Sequence, residues 1–226
     1  MNILVVADVH GDFESLSDVL QKINFGVDVV VCPGDFTDIG LSLMGFSRED
    51  MMHLVLDELL GLKRPVLAVP GNHDPPETHK ILNDYGVNLH GTGRIIDGIG
   101  FFGFGGAKTP FATPFEPSEE ETNTGLKKGF DLVAGTKHKI MITHNPAKNT
   151  KLDRVSTGAH VGSSAVRDFI IKNKPDASIS AHIHEAVGVD ELNGTKLLYP
   201  GPVSGGWVGL LSVGDKTDVK ILNLKQ

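Results

Sequence analysis

The sequence predicts an α/β protein: parallel strands joined by helices, with the carboxyl ends of the strands gathered at one crevice. Three observations predict it. Short runs such as Ile3-Leu4-Val5-Val6-Ala7 and Val29-Val30-Val31-Cys32 are apolar throughout, as strands covered on both faces must be. Amphipathic stretches with helix-start signals alternate with such runs through the first half, which implies right-handed crossovers and a parallel sheet. Five runs end in oxygen- or imidazole-bearing side chains, and in open α/β sheets sites form beyond the carboxyl ends of the strands.

In chain order, the first run leads into Asp8-Val9-His10. Asp12 is placed to cap a helix whose Phe13, Leu16, Val19, Leu20 and Ile23 share one face. The second run leads into Gly34-Asp35. Ser47 and Asp50 form a capping-box pattern, with aspartate in the glutamate position, and open a helix striped by Met51, Met52, Val55, Leu56, Leu59 and Leu60. Pro65-Val66-Leu67-Ala68-Val69 leads into Gly71-Asn72-His73-Asp74, and a helix over 77–84 follows, ended by Gly86. Residues 94–96 and 99–104 predict two strands about an Asp97-Gly98 turn. Residues 109–121 carry three prolines, Phe111, Phe115 and a triple glutamate. They predict a long loop, either a lid over a site or a solvated connector whose phenylalanines pack locally. A helix ending near Ala134 follows. Ile140-Met141-Ile142-Thr143 leads into His144, and beyond a loop over 145–160 a helix starts at Ser163 and stops before Pro175. Ala177-Ser178-Ile179-Ser180 leads into Ala181-His182-Ile183-His184, and the tail is β-rich over 195–199, 207–213 and 218–224. No repeat or boundary interrupts residues 1–226, which predicts one domain.

Pooled, the strand-end groups are Asp8, His10, Asp35, Asn72, His144, His182 and His184. Taken singly, Asp8 or Asp35 reads as a helix cap and Asn72 as a turn former; it is their joint alignment to strand ends that points to a site. They are too many for one tetrahedral zinc ion and suit two divalent or trivalent ions sharing a carboxylate. Asp35, the lone carboxylate on its strand end, is the natural bridge. Imidazole mixed with carboxylate and amide, without thiolate, favours Mn, Fe, Zn or Ni over copper or an iron–sulfur cluster, with manganese the first choice. Two such ions about 3.5–4 Å apart hold a hydroxide between them and clamp phosphoryl oxygens during in-line displacement.

The ordered series Asp8-x-His10, Gly34-Asp35, Gly71-Asn72-His73-Asp74, His144 and His182-x-His184 resembles the calcineurin-like metallophosphoesterases, and among them is most similar to the small prokaryotic Icc-related phosphoesterases. The resemblance spans residues 8–184. It implies a four-layer α/β/β/α sandwich, one metal held by Asp8, His10, Asp35 and His184, and a second held by Asp35, Asn72, His144 and His182. It further implies that His73 contacts the phosphate and protonates the leaving group, a task imidazole suits near neutral pH. Asp74 would orient His73 by accepting its other ring proton. The implied activity is metal-dependent hydrolysis of a phosphodiester or phosphomonoester by a metal-bridging hydroxide. Ala181 stands where the family usually has glycine; its methyl group removes no ligand.

Composition bounds the partners. With 21 basic against 28 acidic residues the formal charge is -7, so strong non-specific nucleic-acid binding is not expected. A small phosphoester, nucleotides included, remains compatible with a cleft whose bound cations reverse the local charge. No apolar stretch approaches the roughly 18 residues of a membrane span, no signal-peptide pattern opens the chain, and Cys32 is the single cysteine; the expected compartment is the cytoplasm. An oligomer through Phe111 and Phe115 is left open. Substrate choice is expected in the loops over 40–46, 109–122 and 145–160. Arg154 and His160 are candidates to reach the cleft, and Glu185 to support His184. Cys32 and Trp207 are expected in the core, and His53, His79, His90 and His138 on surfaces or helix ends. The rival function is a non-catalytic metal-binding or docking module on the same scaffold, against which the complete ligand set with His73 argues.

Overall fold

A computed structural model describes residues 1–39 and 45–225; of the loop over 40–46, residues 40–44 lie outside the described residues. The parallel strands β1 (Asn2–Val5), β2 (Val29–Cys32) and β3 (Val66–Ala68) form as their apolar runs require. Between them run α1 (Phe13–Gln21) and α2 (Arg48–Leu60), and α3 (Thr78–Asp84) follows β3. Asp12 caps α1 by accepting from the Ser15 N–H at 3.0 Å, and Ser47 with Asp50 closes the expected capping box on α2. The next strands are β4 (Thr92–Ile96), β5 (Ile99–Phe104), β6 (His138–Thr143), β7 (Ala177–Ile179), β8 (Gly188–Leu192) and β9 (Thr195–Tyr199), with α4 (Glu119–Leu132) and α5 (Ser164–Asn173) inserted. They make a six-stranded sheet in the order β4-β5-β6-β7-β9-β8.

The last two strands, β10 (Trp207–Val213) and β11 (Thr217–Asn223), return to the first sheet instead. β10 pairs antiparallel with β1, giving the order β11-β10-β1-β2-β3. The first sheet is therefore mixed rather than purely parallel.

Alternation along the strands sorts side chains into three cores. Leu4, Val30 and Cys32 face α1 and α2 through Leu16, Val19, Met52 and Leu56. Ile3, Val5, Val29 and Val31 face the other sheet through Phe101, Ile140, Ile142 and Ile179. Phe102, Met141 and Tyr199 face α4 and α5 through Leu126, Val166 and Phe169. Helix, sheet, sheet, helix is the four-layer arrangement expected.

Two elements differ from the sequence expectation. The loop starting at 109 is shorter, because Ser118 and Glu121 form a capping box that starts α4 at Glu119. The triple glutamate is thus the first helical turn, where negative charge favours the helix dipole. β8 was not foreseen: its residues alternate between half-buried and exposed, so no apolar run marks it.

His90 was expected at a surface and instead lies against Phe104, ring centroids 3.9 Å apart, with Nδ1 accepting from the Gly105 N–H at 2.9 Å. Burial, aided by the neighbouring His79 ring, pushes its imidazole down to about 3. The folded value lies below the unfolded one, so the folded state holds fewer protons. Stability present above pH ~6.5 is therefore lost as the pH falls towards about 3. Between pH 6.5 and 5 this residue should cost about 2 kcal/mol. Urea unfolding at the two pH values should show a shallower decline in His90→Gln than in the wild type.

Candidate metal centre

The strand ends converge through strained backbone. Asp8, His10, Asp35 and His182 have φ of 49°, 49°, 55° and 78°, left-handed values that cost non-glycine residues about 1–3 kcal/mol each and cluster at functional sites. Hydrogen bonds between neighbouring strand ends hold them there. The His10 N–H donates to the Asp35 carbonyl at 2.9 Å, the Gly11 N–H to Phe36 at 2.8 Å, and the Ala181 N–H to His144 at 3.0 Å. Two glycines allow the approach. A Cβ on Gly34, whose φ is +102°, would lie 2.4 Å from the Gly71 nitrogen, and one on Gly71 would lie 2.0 Å from Asp35 Oδ1. The positive φ of this turn falls on His182, and the Ala181 methyl is buried in the core.

All seven strand-end groups meet, in two sets. Asp8, His10 and His184 each offer an atom within 4.8 Å of the others, and so do Asp35, His144 and His182. In the first set His10 Nε2 and His184 Nε2 are 3.2 Å apart, and Asp8 Oδ2 is 3.7 Å from His184 Nε2. In the second, His144 Nδ1 is committed to the Pro33 carbonyl at 2.8 Å. That leaves Nε2 facing Asn72 Oδ1 at 2.8 Å and Asp35 Oδ2 at 3.3 Å. Asp35 Oδ2 also lies 3.7 Å from His10 Nε2, so it is the atom common to both sets. A fully buried imidazole whose free lone pair meets two oxygen acceptors needs a cation or a proton between them. The donor set therefore fits hard or borderline metal ions.

The electrostatics agree. Burial would raise the Asp35 carboxyl, but His144 beside it holds it well below the usual carboxylate range. Burial would lower His144, and the Asp35 carboxylate lifts it to about 9. Burial, then the positive His144, push His182 down to about 3, which keeps it a neutral ring able to donate its lone pair.

One sequence expectation is corrected. Asp74 does not orient His73. Its carboxylate turns back into the protein and accepts from the backbone N–H groups of Gly71 (2.7 Å), Asp35 (3.0 Å) and Thr37 (3.1 Å). Burial and the nearby Asp35 charge push it up to about 6. Asp74 braces the backbone that carries Asp35. The partner of His73 is Asp38, whose Oδ1 lies 2.7 Å from His73 Nδ1. Arg48 donates to the His73 carbonyl, and the His73 N–H donates to Asp35 Oδ1 at 2.9 Å. Asp38 stands three residues after Asp35 on its strand end, a spacing that could have flagged it.

Sequence reasoning also missed Tyr199. Its buried hydroxyl donates to Asp8 Oδ2 at 2.6 Å, and burial beside Asp8 pushes the phenol upwards, keeping it a donor. Partners of ligating carboxylates typically contribute about 10–100-fold in metal affinity. Tyr199→Phe should weaken Mn²⁺ binding by about that factor with the fold intact, as read by metal titration.

The centre floors a cleft of about 460 Å³, whose rim includes Lys108, Phe111, Val155, Val161 and Ile183. Arg154 and His160 stay outside its lining. His160 Nδ1 meets the buried Asp153 at 2.7 Å, which staples its own loop. Glu185 accepts from the Ser156 N–H and ties that loop to the His184 turn. Cys32 is buried in the core as expected, and Trp207 is half-buried. A second cleft is lined by His90, Phe104, Phe115 and Glu120 and holds none of the strand-end groups.

The calcineurin-like phosphoesterase family matches this sequence over residues 1–186. An uncharacterized protein of Methanocaldococcus jannaschii is 32% identical over 211 residues, which cover 90% of this chain and 89% of that one. Among solved structures, a protein of Thermus thermophilus has a TM-score of 0.75 at 19% identity, covering 99% of this chain and 98% of that chain. The NAD nucleotidase of Haemophilus influenzae has a TM-score of 0.56 at 14% identity, covering 97% of this chain and 49% of that chain. At such identities the structural likeness speaks for the fold alone. The match over residues 1–186 takes in every strand-end group described above, and this chain belongs to the calcineurin-like phosphoesterase family.

Proposed function

We propose that this protein is a dinuclear metal-dependent phosphoesterase acting on a small phosphodiester or phosphomonoester, working as a single-domain enzyme of the cytoplasm. The observation that carries the reading is the pair of donor sets meeting at Asp35 Oδ2, 3.7 Å from His10 and 3.3 Å from His144. One ion would be held by Asp8, His10, Asp35 and His184 and the other by Asp35, Asn72, His144 and His182, with manganese the first metal to try. When bound, the ions would activate a water molecule as nucleophile and neutralise charge on the phosphoryl oxygens. Among the described residues no helix is long and apolar enough to cross a membrane.

The chain's own residues supply proton transfer. Asp38 engages His73 Nδ1, so Nε2 is the nitrogen left to protonate the leaving-group oxygen from the cleft wall. The His73 hydrogen bond in turn offsets the effect of partial burial and holds Asp38 below its ordinary range. His73→Ala should lower kcat by about 10²–10⁴-fold while both metals stay bound. Asp38→Asn should cost less, about 10–10²-fold. Steady-state kinetics beside metal analysis checks both, and loss of the metals in His73→Ala would contradict the role given to His73. The reading itself is tested with metal-stripped protein on bis-p-nitrophenyl phosphate and p-nitrophenyl phosphate. Turnover that returns only with Mn²⁺, Fe²⁺, Zn²⁺ or Ni²⁺ supports it, and the preferred ester separates diesterase from monoesterase.

A further inference from the structure

We infer, resting on the phosphoesterase reading above, that the substrate carries a planar aromatic arm that stacks on Phe111. Phe111 is 83% exposed, the most exposed large apolar side chain among the described residues, and it lines the cleft over the metal centre. The turn that presents it is fastened. One Glu116 oxygen accepts from the Thr109 hydroxyl at 2.6 Å and from the Thr113 hydroxyl and N–H at 2.7 Å each. The Phe111 N–H donates to Thr109 Oγ1 at 3.1 Å. The turn is also joined to the centre itself. Asn72 Nδ2 donates to Thr113 Oγ1 at 3.2 Å, and the Phe115 N–H donates to the Asn72 carbonyl at 3.2 Å.

Phe115 packs against His79 and His90, at 5.1 and 5.3 Å between ring centroids, and so accounts for its own apolar surface. Phe111 has no such neighbours among the aromatic pairs of the described residues. Further apolar lining comes from Val155, Val161 and Ile183. The loop carrying the two valines is pinned by the Val155 N–H to Ala159 and the Val161 N–H to Asp153, both 3.0 Å. A polar floor with apolar walls sorts a phosphoester by its ends: the phosphate to the floor, an apolar group to the rim. A phenylalanine face presented to water from a fastened turn favours a flat ring there, since aromatic pairs gain over other apolar contacts of equal area.

The test uses p-nitrophenyl phosphodiesters that share their leaving group and differ in the second ester: phenyl, cyclohexyl and thymidine 5′. With Mn²⁺-loaded protein, the phenyl-to-cyclohexyl ratio of kcat/KM, divided by the same ratio in solution hydrolysis, should be about tenfold. It should fall to about twofold or less in Phe111→Leu, which keeps the apolar bulk and removes the ring. A further preference for the thymidine ester assigns the arm to a nucleobase, and equality with phenyl assigns a simple aryl group. Calorimetric binding of phenylphosphonate against cyclohexylphosphonate reads the same preference without turnover. A phenyl preference in binding with no hydrolysis would therefore contradict the phosphoesterase reading and leave this one standing. A ratio unchanged in Phe111→Leu, or a cyclohexyl preference, overturns the inference. So does a Phe111→Leu protein that sediments as a smaller species with its ratio intact, which would assign Phe111 to contact with a second copy.

Discussion

Asp35→Asn should lower metal-dependent phosphoester hydrolysis by about 10³-fold or more while leaving the fold in place. The carboxylate is the point where both donor sets meet, so one substitution weakens both. An amide offers one oxygen rather than two, and Asp35 uses both: Oδ1 accepts from the His73 N–H at 2.9 Å and Oδ2 faces His10 and His144. The lost charge matters as much as the lost atom. Lewis-acid stabilisation of a transferring phosphoryl group amounts to several kcal/mol, and each 1.36 kcal/mol is about a decade in rate. Circular dichroism of the metal-free variant should match the wild type, because the three N–H bonds that brace this backbone belong to Asp74. Near-normal turnover in Asp35→Asn would remove Asp35 from the bridging role.

Gly71→Ala should destabilise the protein by roughly 3 kcal/mol, the upper range for forcing atoms into packed surroundings, and should reduce metal binding with it. A Cβ there would sit 2.0 Å from Asp35 Oδ1 and 2.2 Å from the Asp35 nitrogen. The second of these is backbone, so no side-chain rotation relieves it. Relief requires moving Asp35, which displaces the shared oxygen. Gly135 supplies the control, since a Cβ at that position meets nothing within 4 Å. Gly135→Ala should stay within about 0.5 kcal/mol of the wild type. Urea unfolding and metal titration of the two variants separate a local clash from a general intolerance of alanine.

The convergence of the seven strand-end groups was legible in the sequence because apolar runs mark where strands end, and the strand ends of an open α/β sheet meet at one crevice. Helices α1 and α2 were legible through their caps. The start of α4 was equally encoded, in Ser118 and Glu121, but the triple glutamate and prolines around it read as loop. The partner of His73 was harder. Asp74 is its neighbour in sequence, yet the tight turn after Gly71 sends that carboxylate back to three amides. The side chain that reaches His73 comes from the end of β2, 35 residues away. Tyr199 reaches Asp8 across 191 residues, and β10 finds β1 with no local pattern to announce the pairing. Side chains that act through long-range contacts leave no periodic trace, whereas capping and strand burial do.

Titrating metal-free protein with Mn²⁺, while following bound metal by mass spectrometry and bis-p-nitrophenyl phosphate hydrolysis in the same samples, tests the dinuclear centre most directly. Two ions per chain are expected, with turnover rising as the second binds. Full turnover with a single ion bound, or turnover that persists in excess chelator, would contradict it.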